Sequence, residues 1–302
     1  MVDFFDDLYA FAGGLGNKGL KWKLFRLSVR LVANIVLPIY FILTSKRKKY
    51  KLPQLCKDHP HYIVSLTSFP ARIKTIWMVV ETLLRQTKKP DRIVLWLSKD
   101  QFASINDLPS RLLKLRRRGL EIYIKEGDLK SHKKYYYTMS EFPSDVCIVV
   151  DDDVFYRSNL LDSLISMHNL YPKAICCNRA DKIIDEEEKI LPFDSRIILE
   201  ADETVIYSDK LLAIGVGGVL YPPNVLNNEL LNKDIFMTIC PRADDLWLWA
   251  MGKKNHAYWS YSGMKLGFLP VMIPGNIKLA TDNLAGGNDS QLLLIKNHCG
   301  FK

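Results

Sequence analysis

Apolar and polar positions along residues 61–170 predict strands and helices in alternation. Short runs rich in β-branched and aromatic residues are each followed by a longer segment with apolar residues at helical spacing. Such an alternation predicts an α/β fold with a mostly parallel sheet flanked by helices. The predicted strands are 61–69, 92–98, 120–127 and 145–150, and the predicted helices are 73–87, 108–118, 132–141 and 158–170.

The first 51 residues follow a different pattern and predict a membrane-association segment. Leucines recur at helical spacing from residue 20, and the uncharged run 31–43 follows them. This run is too short for the roughly 20 residues of a spanning helix, and Pro38 lies within it. We therefore expect an amphipathic helix that lies on the membrane surface. A core-packing helix before a solvated basic linker, or a short re-entrant hairpin, also fits these residues.

The distribution of charge favours an anionic membrane as partner and argues against nucleic acid. The chain has a net charge of +9, yet residues 18–51 contain ten Lys or Arg and no Asp or Glu. The body, residues 52–302, is nearly neutral, so it lacks the basic face that nucleic-acid binding requires. The basic segment suits an anionic membrane surface.

Composition places the chain among ordinary globular proteins. Hydrophobic residues make up 48% and charged residues 25% of the 302, which excludes disordered, collagen-like and disulfide-scaffold proteins. The six cysteines are scattered without a CxxC pair. We therefore expect reduced thiols, with neither a zinc site nor a disulfide framework.

Polar residues collect where the predicted strands end. Thr67, Ser98 and Asp100 follow the first two strands, and the sequence VVDDDVFY places three carboxylates after the fourth. Ligands of parallel α/β sheets bind beyond the carboxyl ends of the strands, so we expect the site at this edge.

The three carboxylates of VVDDDVFY predict a metal site. In an extended backbone alternate side chains share a face, so Asp151 and Asp153 point together while Asp152 points away. Two carboxylates and bound phosphates suit Mg²⁺ or Mn²⁺, which would neutralise a diphosphate leaving group. A solvated turn whose acids cap the helix 158–170 is the alternative.

Seven motifs follow one another along residues 61–299, and together they resemble a known family. In chain order they are VSLTSFPARI (64–73), TLLRQTKKPDRIVLWLS (82–98), SHKK (131–134), VVDDDVFY (149–156), GVGGVLYPP (215–223), ADDLWLWAM (243–251) and GGNDSQL (286–292). The series is similar to bacterial surface-polysaccharide glycosyltransferases of the GT-A fold, related to the inverting family-two enzymes. The resemblance implies a GT-A (Rossmann-like) domain, a nucleotide-sugar donor and a divalent metal, Mn²⁺ or Mg²⁺.

By position, the resemblance implies a nucleotide pocket at the ends of the first two strands. Thr67 and Arg72 would lie in that pocket, and Ser98 or Asp100 would lie nearer the base. Alternatively, Thr67 and Arg72 have structural roles at the strand end and at the helix cap.

The resemblance also implies contacts to the diphosphate and the metal. Lys133 and Lys134 occupy the place where related enzymes contact the diphosphate, and Lys suits phosphate as a point charge. A solvated helix start is the alternative for both. Asp151 would contact ribose or metal, Asp152 joins the nucleotide-binding set, and Asp153 would hold the metal.

Two further motifs imply contacts at the sugar and at the metal. Gly217 and Gly218 offer backbone without side-chain bulk, so a donor or acceptor sugar could approach closely, although a tight turn explains them equally. Several GT-A enzymes use a C-terminal histidine as a third metal ligand, and His298 is the candidate here. An incidental surface histidine is the alternative.

The motif ADDLW resembles the acidic pair that supplies the catalytic base in inverting GT-A enzymes. The usual Glu-Asp pair is Asp244-Asp245 here, and Asp245 is the base by position. Such a carboxylate takes the proton of the acceptor hydroxyl as that oxygen attacks the anomeric carbon. Paired aspartates at a helix start also cap the helix and suit its dipole. The departure from Glu-Asp leaves both residues as candidates.

Together these observations predict a glycosyltransferase in two parts. Residues 1–51 form the membrane segment and 52–302 the GT-A domain, with a nucleotide-sugar half (61–156) and an acceptor half (157–302). The acceptor is a glycan or glycolipid of surface polysaccharide, and the protein is peripheral on the cytoplasmic face of the bacterial inner membrane. A metal-dependent nucleotidyl- or phosphotransferase, and a non-catalytic membrane- or polyanion-binding protein, are the alternatives.

Overall fold

A single eight-stranded sheet forms the centre of the protein. The structure, a computed structural model, describes residues 1–14, 19–47, 50–53, 60–183, 185–186, 189–190, 193–199, 205–273 and 287–301. The strands are β1 (Tyr62–Thr67), β2 (Arg92–Ser98), β3 (Leu120–Lys125), β4 (Val146–Val149), β5 (Ile175–Cys177), β6 (Ala180–Lys182), β7 (Asp185–Glu186), β8 (Lys189–Ile190), β9 (Ile197–Ile198), β10 (Val205–Ser208), β11 (Leu211–Ala213), β12 (Val219–Tyr221) and β13 (Trp259–Tyr261).

The α/β prediction is confirmed by the strand order β10-β13-β5-β12-β4-β1-β2-β3. Six of these strands point the same way, while β12 and β10 run against them. The four strands predicted from sequence form the parallel half of the sheet, β4-β1-β2-β3. Two small antiparallel sheets, β11-β6-β9 and β7-β8, accompany the central one.

Helices cover both faces of the sheet. Within the described residues they are α1 (Val2–Ala12), α2 (Leu20–Thr44), α3 (Ile76–Leu84), α4 (Ser110–Leu115), α5 (Lys133–Glu141), α6 (Leu160–Leu170), α7 (Lys233–Ile239), α8 (Asp244–Lys254) and α9 (Asn288–Cys299). The four helices predicted from sequence correspond to α3, α4, α5 and α6, with ends that differ by a few residues.

Alternation along the strands gives two large hydrophobic cores within the described residues, beside a small third cluster of Ile63, Val94 and Trp96. In β4, Val146 and Ile148 face the core beneath α3, α4 and α6, whereas Cys147 and Val149 face the core beneath α5, α7, α8 and α9. A strand buried on both faces reads as an uninterrupted apolar run, which is why DVCIVV was recognisable in the sequence. The five described cysteines, Cys147, Cys176, Cys177, Cys240 and Cys299, are free thiols. Cys56 lies outside the described residues.

The N-terminal helices belong to the first of these cores. One face of α2 is buried against the domain through Val29, Ala33, Leu37 and Phe41, at intervals of four residues. The opposite face of α2 is apolar and exposed, and it includes the predicted leucine stripe of Leu20, Leu24, Leu27 and Leu31 together with Ile35, Ile39 and Ile42. By length and composition α2 could cross a membrane. Pro38 lies inside the helix and does not end it.

Candidate active site

The site forms at the carboxyl edge of the parallel strands, where the sequence predicts it. Register pairs Ser65 of β1 with Val149 of β4, and Thr67 of β1 with Trp96 of β2. Asp151 therefore emerges beside the end of β1. The Asp151 amide donates a hydrogen bond to the Tyr156 hydroxyl (2.7 Å), which fixes the turn that carries the three aspartates.

Asp151 and Asp153 are the candidate metal ligands. Both side chains are about one-third exposed, at 32% and 33%. One oxygen of each is in an ion pair, Asp151 with Lys134 (2.7 Å) and Asp153 with Arg72 (3.0 Å). Burial, and then the charge of Asp151, raise the pKa of Asp153 to about 6. A cation would relieve this repulsion.

The donor chemistry of these two carboxylates fits a hard divalent cation. Mg²⁺ and Mn²⁺ prefer oxygen ligands and commonly bind through one or two carboxylates together with phosphates of the substrate. Within the described residues, no group of three or more His, Cys, Asp or Glu side chains is arranged to hold a metal alone. A metal here would therefore need oxygens from a bound diphosphate.

Asp152 has a structural role in the acidic turn, and its place among the nucleotide-binding residues stays a prediction. Its side chain is buried, and both of its oxygens are used by the chain itself. Ser68 donates to Oδ2 (2.6 Å) and the Arg72 guanidinium to Oδ1 (2.5 Å). Burial raises the pKa of Asp152, and Arg72 opposes that rise. Arg72 thus stabilises the acidic turn through ion pairs with both Asp152 and Asp153.

Lys134 joins the two acidic motifs. Its side chain on α5 is 5% exposed, and its Nζ lies 2.7 Å from Asp151 Oδ1 and 2.9 Å from Asp244 Oδ2. Burial alone would lower the pKa of Lys134, but the surrounding aspartates raise it, so the ammonium stays charged. The structure therefore gives Lys134 two carboxylate partners, and its contact with a diphosphate stays a prediction.

Asp244 and Asp245 open α8 and have different environments. Lys134, and then His132, hold the pKa of Asp244 below its ordinary value although burial opposes them. Asp245 accepts a hydrogen bond from the Gly215 amide at Oδ2 (3.0 Å), and its buried Oδ1 has no hydrogen-bond partner. Burial, and then Asp244, raise the pKa of Asp245 to about 7. A carboxylate with this pKa is suited to accept a proton near neutral pH.

Gly215 is the site glycine that the sequence analysis missed. A Cβ built on Gly215 would lie 3.0 Å from Asp245 Oδ1, 3.1 Å from Lys134 Nζ and 3.5 Å from Asp151 Oδ1. The absence of a side chain thus lets both acidic motifs and the lysine meet. The motif GVGGV carried this signal, but Gly215 was not among the glycines selected from it.

Gly217 and Gly218 are required by backbone packing, and their contact with a sugar stays a prediction. A Cβ on Gly217 would lie 2.6 Å from the Cβ of Arg179. Gly218 has φ +79°, and a Cβ there would press on the core leucines Leu160 and Leu164. The tight-turn alternative is the one that the structure supports.

The remaining predicted residues on this edge already have partners. Thr67 donates to the Trp96 carbonyl (2.8 Å), and the buried Ser98 hydroxyl accepts from the Asp100 amide (3.1 Å). Asp100 itself is exposed. Lys133 is buried and forms an ion pair with Asp128.

The structure does not bring His298 to the aspartates. Its Nε2 lies 2.8 Å from Glu229 Oε1, and Glu229 also pairs with Lys254 at the last turn of α8. The His298 ring lies 6.4 Å from the ring of Trp247 near the start of α8, and within the described residues it joins no group of three or more metal-ligand side chains. Its role as a third metal ligand stays a prediction.

Comparisons with known proteins find only distant likenesses. No protein-family model and no curated protein match the chain. A UTP-bound UGPase from Acinetobacter baumannii is 13% identical, with a TM-score of 0.43, and the match covers 69% of this chain and 91% of that one. The mannosyltransferase PcManGT from Pyrobaculum calidifontis, in complex with GDP-Man and Mn²⁺, is 12% identical, with a TM-score of 0.31, covering 52% and 46%. Likenesses this distant assign no function, which therefore depends on this chain's own site.

Proposed function

We propose that this protein is a metal-dependent, inverting glycosyltransferase that moves a sugar from a nucleotide-sugar donor to a lipid-linked glycan acceptor in surface polysaccharide synthesis. The observation that carries the proposal is that two acidic motifs, one with Asp151 and one with Asp244, meet at one lysine although they lie 93 residues apart in the chain. Asp151 and Asp244 bind the same Lys134 Nζ at 2.7 Å and 2.9 Å. A phosphotransferase would use Asp151 and Asp153 but has no need of the second pair.

The different environments of the two acidic motifs suit them to different roles, metal binding for one and proton transfer for the other. Asp151 and Asp153, partly exposed, would hold Mn²⁺ or Mg²⁺ with the donor diphosphate. The bound metal would stabilise the charge that develops on the leaving diphosphate. Asp245 would accept the proton of the acceptor hydroxyl, because its pKa is about 7 and its Oδ1 has no hydrogen-bond partner. Asp244 is neutralised by Lys134 and is the weaker candidate for the base.

A donor screen with and without metal tests the proposal. Thermal unfolding of the full chain is measured with a panel of nucleotide sugars, each with and without Mn²⁺. We expect at least one nucleotide sugar to raise the melting temperature only when Mn²⁺ is present, and Asp153→Asn to abolish that shift. Asp128→Asn, which alters an aspartate at the same edge outside the acidic turn, is the matched control and should keep it.

The released product separates the candidate reactions. Glycosyl transfer or donor hydrolysis releases a free nucleoside diphosphate, whereas nucleotidyl transfer to a sugar phosphate releases pyrophosphate from a nucleoside triphosphate. Absence of Mn²⁺-dependent binding across the whole panel would contradict both enzymes and favour a non-catalytic protein.

We propose that the outer face of α2 docks on the anionic cytoplasmic surface of the bacterial inner membrane. Its exposed apolar residues run the length of the helix, and the exposed cations Lys21, Lys23, Lys46 and Arg47 lie at its two ends. Because the opposite face is part of the domain core, α2 would lie along the membrane rather than cross it. The flanking cations would add an attraction that salt screens.

Charged substitutions on the outer face should weaken membrane binding. Leu24 and Ile35 are 55% and 63% exposed, so Leu24→Glu with Ile35→Glu should spare the core. We expect binding to vesicles that contain anionic phospholipid to fall at least about tenfold, since each buried leucine contributes about 1.5–3 kcal/mol. Leu294→Glu on α9, at an exposed apolar residue outside this face, is the control and should bind like wild type. Equal binding by all three proteins would contradict the docking face.

A further inference from the structure

A carboxylate of the first helix holds the segment that pairs with the acidic turn. Asp6 on α1 is 1% exposed. Its Oδ2 accepts a hydrogen bond from the Gly267 amide (2.9 Å), and its Oδ1 accepts one from the Leu269 amide (3.2 Å). A buried carboxylate is costly unless it is hydrogen-bonded, so these contacts fix the backbone of the segment in place.

The segment held by Asp6 continues directly along the acidic turn. The Phe155 amide donates to the Leu269 carbonyl (2.9 Å), and the Val271 amide donates to the Asp153 carbonyl (2.8 Å). Between them, Val154 and Pro270 form an antiparallel bridge. The backbone of Asp153 is therefore two hydrogen-bonded steps away from the carboxylate of Asp6.

The same helix also holds the chain that leaves the turn. The Ser158 amide donates to Asp3 Oδ1 (2.7 Å), and Arg157 forms an ion pair with Asp6 Oδ2 (3.4 Å). α1 thus contacts the end of the stretch 153–158 directly and supports its start through residues 267–271.

The contact between α1 and the segment is fitted closely. A Cβ on Gly267 would lie 2.3 Å from the Asp6 carbonyl oxygen and 2.7 Å from its Oδ1, so only glycine fits. α2 contributes a second clamp through Asn34, which donates to the Pro270 carbonyl (3.0 Å) and accepts from the Met272 amide (2.8 Å). Both N-terminal helices therefore support one strand-like segment.

We propose that Asp6 is a positioning residue for Asp153, so that the N-terminal helices form part of the scaffold of the donor site. The proposal rests on the function proposed above, because it gives Asp153 the metal. Asp6 touches neither donor nor metal; it acts through residues 267–271. Loss of its hydrogen bonds would loosen Asp153 and weaken metal binding, while the base Asp245 stays in place.

Hydrogen exchange of the metal-free full chain tests whether Asp6 holds the turn. In Asp6→Asn one of the two backbone donors loses its acceptor. We expect the amides of Phe155 and Val271 to exchange at least about tenfold faster, while those of β1 keep their wild-type rates. Asp7→Asn is the matched control, because Asp7 is 59% exposed and pairs with Arg157 rather than with residues 267–271. Unchanged exchange at Phe155 and Val271, or a uniform acceleration that includes β1, would overturn the proposal.

Metal titration tests the consequence for the site. Mn²⁺ binding is followed by electron paramagnetic resonance with UDP and with GDP. For Asp6→Asn we expect the half-saturating Mn²⁺ concentration to rise at least about fivefold, with kcat at saturating metal and donor unchanged. Asn34→Ala should act in the same direction, as a milder variant.

Glu81→Gln controls for general destabilisation. Glu81 is a buried carboxylate of α3 that binds Arg85 and Arg118 instead of the acidic turn. We expect it to lower the melting temperature without changing the Mn²⁺ titration. If the half-saturating Mn²⁺ concentration rose equally in Glu81→Gln and Asp6→Asn, the positioning role of Asp6 would be refuted. If the wild type binds no Mn²⁺ with either nucleotide, the proposed function fails, while the exchange rates still decide whether Asp6 holds the turn.

Discussion

Asp245→Asn is expected to lower kcat by about 10²–10⁴-fold, the usual contribution of general base catalysis. The substitution keeps the shape of the side chain and removes its ability to take a proton. The Gly215 amide can still bond to the amide oxygen, so α8 should keep its position. Donor binding in the presence of Mn²⁺ should barely change. Steady-state kinetics with a matched donor and acceptor would measure both quantities.

Asp244→Asn is the comparison that identifies the base. It removes a carboxylate paired with Lys134, so we expect a loss of stability and a smaller effect on turnover. If Asp244→Asn were inactive and Asp245→Asn active, the base would be Asp244. If neither substitution changed kcat, the inverting mechanism would be wrong.

The pH dependence of kcat in the wild type should report the titration of Asp245. Burial raises the pKa of Asp245 to about 7, and a base must be deprotonated to act. We expect kcat to fall as the pH is lowered through about 7 and to be level above it. The acidic limb should disappear in Asp245→Asn, whose residual rate has no such group. An acidic limb that persists unchanged in this variant would assign the titration elsewhere.

The parallel half of the sheet was predictable because its strands carry their signal locally. Buried strands such as 145–150 are continuous apolar runs, and polar residues at their carboxyl ends mark the site edge. The partners of Asp152 carried no such local signal, because Ser68 and Arg72 lie more than 75 residues earlier in the chain, and Arg72 also binds Asp153. A local pattern thus located the edge of the site, whereas the contacts of its carboxylates came from elsewhere in the chain.

The links across the site were not predictable because they join distant positions. Lys134 lies 17 residues from Asp151 and more than 100 from Asp244, and no periodicity connects these residues. The packing of residues 1–51 on the domain was equally invisible to periodicity: Phe5, Val29 and Phe41 share a core with α3 and α6. The division of the chain at residues 51 and 52 stays a prediction. A helix with one apolar face against protein and another toward solvent has the same sequence pattern as a free membrane helix.

Lys134→Met is expected to reduce the free energy of unfolding at pH 7 by about 3–5 kcal/mol, the usual cost of leaving a buried charge without its partner. Methionine fills similar volume, so the loss would come from Asp151 and Asp244 losing their shared cation. Lys133→Met is the matched control one residue earlier on α5. Its partner Asp128 is 25% exposed and can be solvated, so the loss should be smaller. Urea denaturation followed by tryptophan fluorescence would measure both variants.

The difference in free energy of unfolding between Lys134→Met and wild type should become smaller at acidic pH. Lys134, acting against burial, holds the pKa of Asp244 below its ordinary 3.8. A lowered folded-state pKa contributes stability that is present above the unfolded value and is lost as the pH falls through the folded one. In Lys134→Met this contribution is already missing, and protonation below about pH 4 relieves the repulsion between the remaining carboxylates. The stability gap should therefore be largest near neutral pH. A gap that stays constant as the pH falls from 7 to well below 4 would mean that Lys134 stabilises the fold through packing, and that the two acidic motifs are not joined by charge.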